Sequence, residues 1–178
     1  MPAFPQRTPD PTDQADGAAA PSRKAGGPAQ YLAFLVGAET LAIEILAVRE
    51  IIEQRPLTRV PTLQHWIGGV INVRGAAVPV IDLSLRLGRP ESPLTRRTCF
   101  VVIECGPQGH RRHVGLRVDA VRSVLDIAPR DIEPVPAFGS RLDPAFVNGI
   151  GKVQGTFVKL LNVDAIVGET VSLPPTAG

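Results

Sequence analysis

Hydrophobic and polar residues alternate with the period of β-strands along most of this chain. "QYLAFLV" and "TLAIEI" flank "GAE" and predict a hairpin whose second strand sets Leu41, Ile43 and Ile45 on one face. "LAVREIIE" continues the pattern and breaks at Pro56. "GVINV" and "AVPVIDL" form the next pair around Arg74-Gly75. Pro79 cannot donate to a ladder, so its run is expected at an edge or a bulge. "DLSLRLG" predicts a short helix with Asp82 as its cap and Gly88 at its stop. After the linker "RPESPLTRR" come "TCFVVIEC", "HVGLRVDAV", "FVNGIGKV" and "FVKLLNV", and then a final short helix, "VDAIVG".

Two blocks of this pattern repeat. Residues 69–88 lie over 149–168 without a gap, with Gly69/Gly149, Val73/Val153, Gly75/Gly155, Val78/Val158 and Gly88/Gly168 identical. Residues 41–52 lie over 114–125 and share Ala-Val-Arg. The period is too long for a solenoid. An all-β fold is expected: a duplicated small β unit, each copy closing its sheet into a barrel to remove its edges. The expected boundaries are 30–88 for barrel one, 89–97 for the linker and 98–168 for barrel two, with terminal strands free to cross over.

Composition changes this picture at the ends. Residues 1–29 are Pro, Ala, Gly, Asp and Gln with almost no large apolar side chain, which predicts a disordered arm. Residues 169–178 read as a flexible tail. Between them the core rests on aliphatic side chains, because aromatic residues are only 4% of the 178. A formal net charge of +2 gives no field that would steer the chain onto nucleic acid. Cys99 and Cys105 share one apolar run, where disulfide geometry is rare; they read as reduced, buried thiols. No apolar run reaches spanning length and no signal peptide is legible, so a soluble, cytoplasmic protein is expected.

Taken together, "AIEILAVREII", "LTRVP", "WIGGVINVRGAAVPVIDL", "VGLRVDAV" and "NGIGKVQGTFVKLLNVDAIV" resemble the CheW family of chemotaxis coupling proteins over residues 30–168. The Gly-x-Ile-Asn-x-Arg-Gly-x-x-x-Pro-x-x-Asp-Leu core, with Gly69, Asn72, Gly75, Pro79 and Asp82, is the specific part. The resemblance implies two five-stranded SH3-like barrels side by side, with short helices and no catalytic residues. It implies an adaptor between the cytoplasmic tips of chemoreceptors and the regulatory domain of the CheA histidine kinase. Further implications are association with membrane receptor arrays and ring assembly with kinase domains of the same fold. A coupler in a non-flagellar pathway such as surface motility is the alternative. The longer Pro-rich arm, the basic Arg117 and "GPQGHRRH", and Val73 in place of Leu depart from the usual pattern.

Arg74-Gly75 lacks the glycine density and the Lys-Ser/Thr ending of a phosphate cradle. In the second copy Gln154 and Ser123 stand where the first has Arg74 and Glu50. By resemblance, Glu50 and Arg74 form an ion pair that holds the binding surface in shape. Also by resemblance, Leu32, Ile45, Val48, Ile51 and Val121 border a groove between the barrels where receptor helices dock. Ile45, Val48 and Ile51 recur every three residues, which a single strand face of period two does not produce. Val48 and Val121 are equivalents across the duplication and are expected to face one another.

Other chemistry is thin. His65, His110 and His113 are too scattered for a zinc site, and the latter two are expected on a solvated turn. Asp119, Asp126 and Asp131 fall at loop edges. Cys99 has no histidine partner and reads as structural. A small-barrel nucleic-acid binder would need stacking aromatics and a basic groove. A small-barrel enzyme would need an acid, base, nucleophile or metal set. The chain offers neither, and no cofactor or metal is expected.

Overall fold

The computed structural model describes residues 27–61, 64–136 and 141–168. The arm before residue 27 and the tail from residue 169 lie outside the described residues. Among the described residues, eleven strands form in the order β1 (Ala29–Val36), β2 (Glu39–Glu44), β3 (Val48–Glu53), β4 (Ile67–Val73), β5 (Ala76–Asp82), β6 (Cys99–Cys105), β7 (Arg112–Val118), β8 (Ala120–Ile127), β9 (Ile132–Glu133), β10 (Val147–Val153) and β11 (Thr156–Leu161). Two short helices, α1 (Leu83–Arg86) and α2 (Val163–Val167), follow β5 and β11.

The strands divide into two sheets, β8-β1-β2-β11-β10-β9 and β3-β6-β7-β5-β4. This differs from a division at the 89–97 linker. Each copy of the repeat is a hairpin followed by a further unit, β3–β5 in the first and β8–β11 in the second, and the copies exchange their hairpins. β1 and β2 join the strands of the second copy, and β6 and β7 join those of the first. The chain passes from β2 to β3 through a single 3-10 turn, Ile45–Ala47, and from β7 to β8 at Asp119. "HVGLRVDAV" is therefore two strands in different sheets, broken at Asp119.

Each sheet closes on itself in the same way. Beyond β3, Thr58 exchanges two backbone hydrogen bonds with Val70 of β4, at 2.9 and 2.8 Å. Beyond β8, β9 pairs with β10 through Glu133↔Ile150 and Ile132↔Gly151. Closure needs a residue without a side chain on the last strand. A Cβ on Gly69 would lie 2.5 Å from the Thr58 carbonyl oxygen, and one on Gly149 would lie 2.7 Å from Ile132.

The exchange creates a third core. Six buried side chains fill each lumen, around Ala33 and Val158 in one barrel and Phe100 and Val80 in the other. A shared cluster of twenty-one buried side chains lies between the barrels, drawn from both sheets and both helices. β1 places Leu32, Phe34 and Val36 in the shared core and Tyr31 and Ala33 in its own lumen. β6 does the same with Val101 and Ile103 against Phe100 and Val102. Burial on both faces is why "YLAF" and "CFVVI" read as continuous apolar runs.

Pro79 sits in a central strand, not at an edge: β5 lies between β7 and β4. The two-residue turn makes Val73↔Ala76 the closing hydrogen-bonded pair, so Val70↔Pro79 falls on a non-bonded pair of that ladder. On the other side, pairing with β7 begins only at Val80. The missing N–H therefore costs no ladder bond.

The turns separate two uses of glycine. Arg74 and Gly75 have φ of 52° and 87°, and Gln154 and Gly155 have 48° and 77°, the backbone of a type I′ hairpin. A Cβ on Gly75 meets nothing within 4 Å. Gly75→Ala is therefore expected to cost about 1 kcal/mol, from positive φ alone. Gly69→Ala adds a backbone collision to its φ of 145° and is expected to cost on the order of 2–5 kcal/mol. Urea denaturation of both variants checks this; equal losses would remove the close-approach role of Gly69.

Candidate functional site

Two β-bulges build the candidate groove. On β3, Val48 pairs with Ile103, Glu50 with Val102 and Ile51 with Val101, leaving Arg49 as the extra residue. On β8, Val121 pairs with Phe34, Ser123 with Ala33 and Val124 with Leu32, leaving Arg122 extra. Residues directly opposite share a face. Ile103, Val101, Phe34 and Leu32 all belong to the shared core, so Val48, Ile51, Val121 and Val124 face the seam between the barrels. A bulge shifts the alternation by one residue, which explains the spacing of three between Val48 and Ile51.

Along this seam, Val48 and Val121 do not face one another. Cys99 pairs with Glu53 at the far end of β3, and the Val121 amide points at the Cys99 sulfur. Val121 thus lies nearer the Glu53 end of β3 than the Val48 end. Val48, Val121 and Ile45 are half-buried against the shared core. Ile51 is 46% exposed and Val124 is 48% exposed. Leu32 is 3% exposed and inside the shared core, so a partner cannot reach it; an apolar residue on a strand buried on both faces looks the same in sequence as one at a rim. Val124 and Leu46, 62% exposed at the crossover, are the apolar positions missed. The alignment that sets Val48 over Val121 also sets Ile51 over Val124, and that signal was available.

The opposite flank of the seam is shut. Trp66 and Phe146, equivalents in the repeat, sandwich the Arg86 guanidinium at 4.4 and 4.7 Å. Arg86 also donates to the carbonyls of Ile166 and Ala165 at the end of α2, at 2.7 and 3.2 Å. α1 and α2 each begin on a side-chain cap: Asp82 Oδ1 accepts from Leu85 N–H at 3.1 Å, and Asn162 Oδ1 from Ala165 N–H at 3.2 Å. Because asparagine suffices for the cap in the second copy, the charge of Asp82 has a separate partner. Its Oδ2 lies 3.0 Å from Nη1 of buried Arg117. Burial pushes the Asp82 carboxyl up, against the pull of the Leu85 amide and Arg117.

At the hairpin end of the β3–β7 barrel, Arg74 Nε is 3.6 Å from Glu50 Oε1. The Arg74 side chain is 84% exposed, so this is a surface contact. The turn takes its shape from Gly75 and from Asn72, whose Oδ1 accepts from Gly75 N–H at 2.9 Å. What the pair supplies is charge at an open recess whose walls include Arg49, Val73, Val78, Glu104 and His113. Glu104 bridges Arg49 and Arg111.

The remaining candidates do not converge. His110 lies in the β6–β7 turn, but His113 is on β7 opposite Glu104 and not in the turn; the described residues contain no group of three or more His, Cys, Asp or Glu able to hold a metal. Cys99 and Cys105 are free and buried, and burial pushes both thiols up. Asp126 lies within β8 opposite Gln30 and not at a loop edge, while Asp119, at the break between β7 and β8, accepts from Gly37 N–H and Ser92 Oγ. No helix among the described residues is long and apolar enough to cross a membrane.

Comparison with known proteins gives a consistent result. The profile of the CheW-like domain matches residues 30–171. The chemotaxis protein CheW of Rhizobium meliloti is 36% identical over 140 residues, covering 79% of this chain and 88% of that protein. The protein PilI of Pseudomonas aeruginosa is 30% identical over 125 residues, covering 67% of this chain and 65% of that protein. Among solved structures, the scaffolding protein TtCheW of Thermoanaerobacter tengcongensis superposes with a TM-score of 0.71 at 29% identity, over 80% of this chain and 90% of that one.

The Glu50–Arg74 contact is measurable on its own. A double-mutant cycle with Glu50→Gln and Arg74→Gln is expected to give a coupling energy below about 1 kcal/mol in stability, the range of exposed ion pairs. A coupling of about 3 kcal/mol or more, the scale of a buried pair, would contradict the exposed geometry.

Proposed function

The chain belongs to the CheW-like family, whose members are chemotaxis coupling adaptors and not enzymes, and we propose that it bridges chemoreceptor tips to the regulatory domain of a CheA-type histidine kinase. The observation that carries this reading is the apolar stripe Val48–Ile51–Val124–Val121. Here, among the described residues, the shared core runs out to partly exposed side chains from both barrels. A helix laid along it would bury its own apolar face, the helix-in-groove mode. The Glu50–Arg74 pair joins β3 to the β4–β5 turn, and Glu50 stands opposite lumen-facing Val102, on the other face of β3 from Val48 and Ile51; this charged face suits the kinase side. Alternation with kinase domains of like fold then extends into rings beneath the receptor array. Signal passes as a shift in the kinase's conformational population, with no chemistry performed on this chain.

A second reading is a coupler of a non-flagellar chemosensory pathway. The relative named PilI, set apart from those named for chemotaxis, is the observation that favours it. The groove chemistry is the same in both.

Ile51 and Val124 are the residues to test, because each is close to half exposed and can carry a charge to water when no partner is bound. Ile51→Glu and Val124→Glu are expected to fold with a normal circular dichroism spectrum. Each should lose at least tenfold in affinity for a receptor-tip fragment, since an unpaired carboxylate must be desolvated against an apolar helix. Affinity for the kinase regulatory domain should change less than twofold. Unaltered receptor affinity in both variants would place docking elsewhere.

A further inference from the structure

We infer that Arg89 is a positioning residue that fixes the angle between the two barrels and thereby the width of the groove. The inference rests on the groove reading above and names what regulates that site.

Residues 89–97 read in sequence as a bare linker, yet its first residues are bonded to both barrels. On the side of the β3–β7 barrel, Arg89 N–H donates to the Ser84 carbonyl at 3.0 Å, and Ser84 Oγ donates to the Pro90 carbonyl at 2.7 Å. Arg117 Nη2 donates to the Ser92 carbonyl at 2.7 Å. The start of the linker is therefore part of that barrel's framework.

From this base, the guanidinium grips the β1–β2 turn of the other barrel. Nη1 donates to the Val36 carbonyl at 3.0 Å, and Nη2 donates to Glu39 Oε2 at 2.5 Å. These acceptors stand on either side of the Gly37–Ala38 turn. Lys159 Nζ of β11 holds the same Glu39 carboxylate, at 3.2 and 3.1 Å. Asp119, where β7 leaves its sheet, adds a second grip: its Oδ2 accepts from Gly37 N–H at 2.6 Å and its N–H donates to Leu35 at 2.9 Å. Burial raises the Glu39 carboxyl, but the bonds from Arg89 and Lys159 outweigh it and hold it below its usual range.

The consequence for the groove follows from strand order. β1 leads directly into this turn and is the strand on which β8 is paired. β8 carries Val121 and Val124, one wall of the groove, while Val48 and Ile51 stand on the barrel from which Arg89 reaches. Tilting the β1–β2 hairpin about the shared core therefore moves one wall against the other. Arg89 spans two acceptors with one planar fork, which a lysine cannot do.

The full-length chain tests this with spin labels on cysteines introduced at Glu53 and Asp126, both exposed, one on β3 and one on β8; the native cysteines are buried. In Arg89→Ala the distance distribution should broaden and affinity for a receptor-tip fragment should fall at least fivefold. Affinity for the kinase regulatory domain should stay within twofold, and Arg89→Lys should fall between wild type and Arg89→Ala in both width and receptor affinity. If Arg89→Ala does not fold, Glu39→Gln, which keeps the Val36 bond, is judged by the same two readouts. A wild-type distance distribution with wild-type receptor affinity would overturn the inference, as would equal losses toward receptor and kinase. If the unsubstituted chain itself does not bind the receptor fragment, the docking reading fails, and the distance distribution alone then decides whether Arg89 sets the angle.

Discussion

The shared core between the barrels is the constraint on which everything else depends. Six buried side chains in each lumen are too few to hold a barrel of this size against its chain entropy. The larger apolar cluster lies outside both lumens, and it exists only because the two copies exchange their first hairpins. Each exchanged hairpin buries one face in a lumen and the other at the seam. Neither barrel can be removed without exposing the other's second face.

Function grows from the edges of that core. Where the seam is closed, Trp66 and Phe146 stack on Arg86 and the two helices dock. Where it stays open, the bulges at Arg49 and Arg122 turn two valines, an isoleucine and a further valine toward it. An extra residue in each strand thus converts a surface that would alternate polar and apolar into a continuous apolar stripe. The duplication supplies the matching walls, and its divergence supplies the asymmetry: Glu50 and Arg74 in one copy, Ser123 and Gln154 in the other.

Much of this was legible in the sequence wherever local chemistry decides the outcome. The type I′ turn at Arg74-Gly75, the Asp82 cap, the stop at Gly88 and the hairpin at Gly37 all follow from residues within a few positions. The repeat and the family pattern were legible as well. What local pattern does not encode is which sheet a strand joins. A chain that crosses at Asp119 without a turn signal reads as one strand, and "RSVLDI", exposed on most of its length, shows too little apolar periodicity to stand out. Leu32 is read as a groove residue and Val124 is passed over for the same reason, since inner and seam faces are both apolar. The expectation of an edge or a bulge at Pro79 counts its missing donor without knowing where the neighbouring ladder begins. The grip of Arg89 was out of reach, because its partners lie on a hairpin some fifty positions earlier.

The central claim is that the two barrels are one cooperative unit joined by the shared core. Native-state hydrogen exchange across a series of low urea concentrations tests it most directly. Amides of β1 and β11 in one barrel and of β6 and β5 in the other should open with the same free energy and the same urea dependence. Loss of protection in one barrel at lower free energy, while the other stays closed, would show two independent domains and contradict the account.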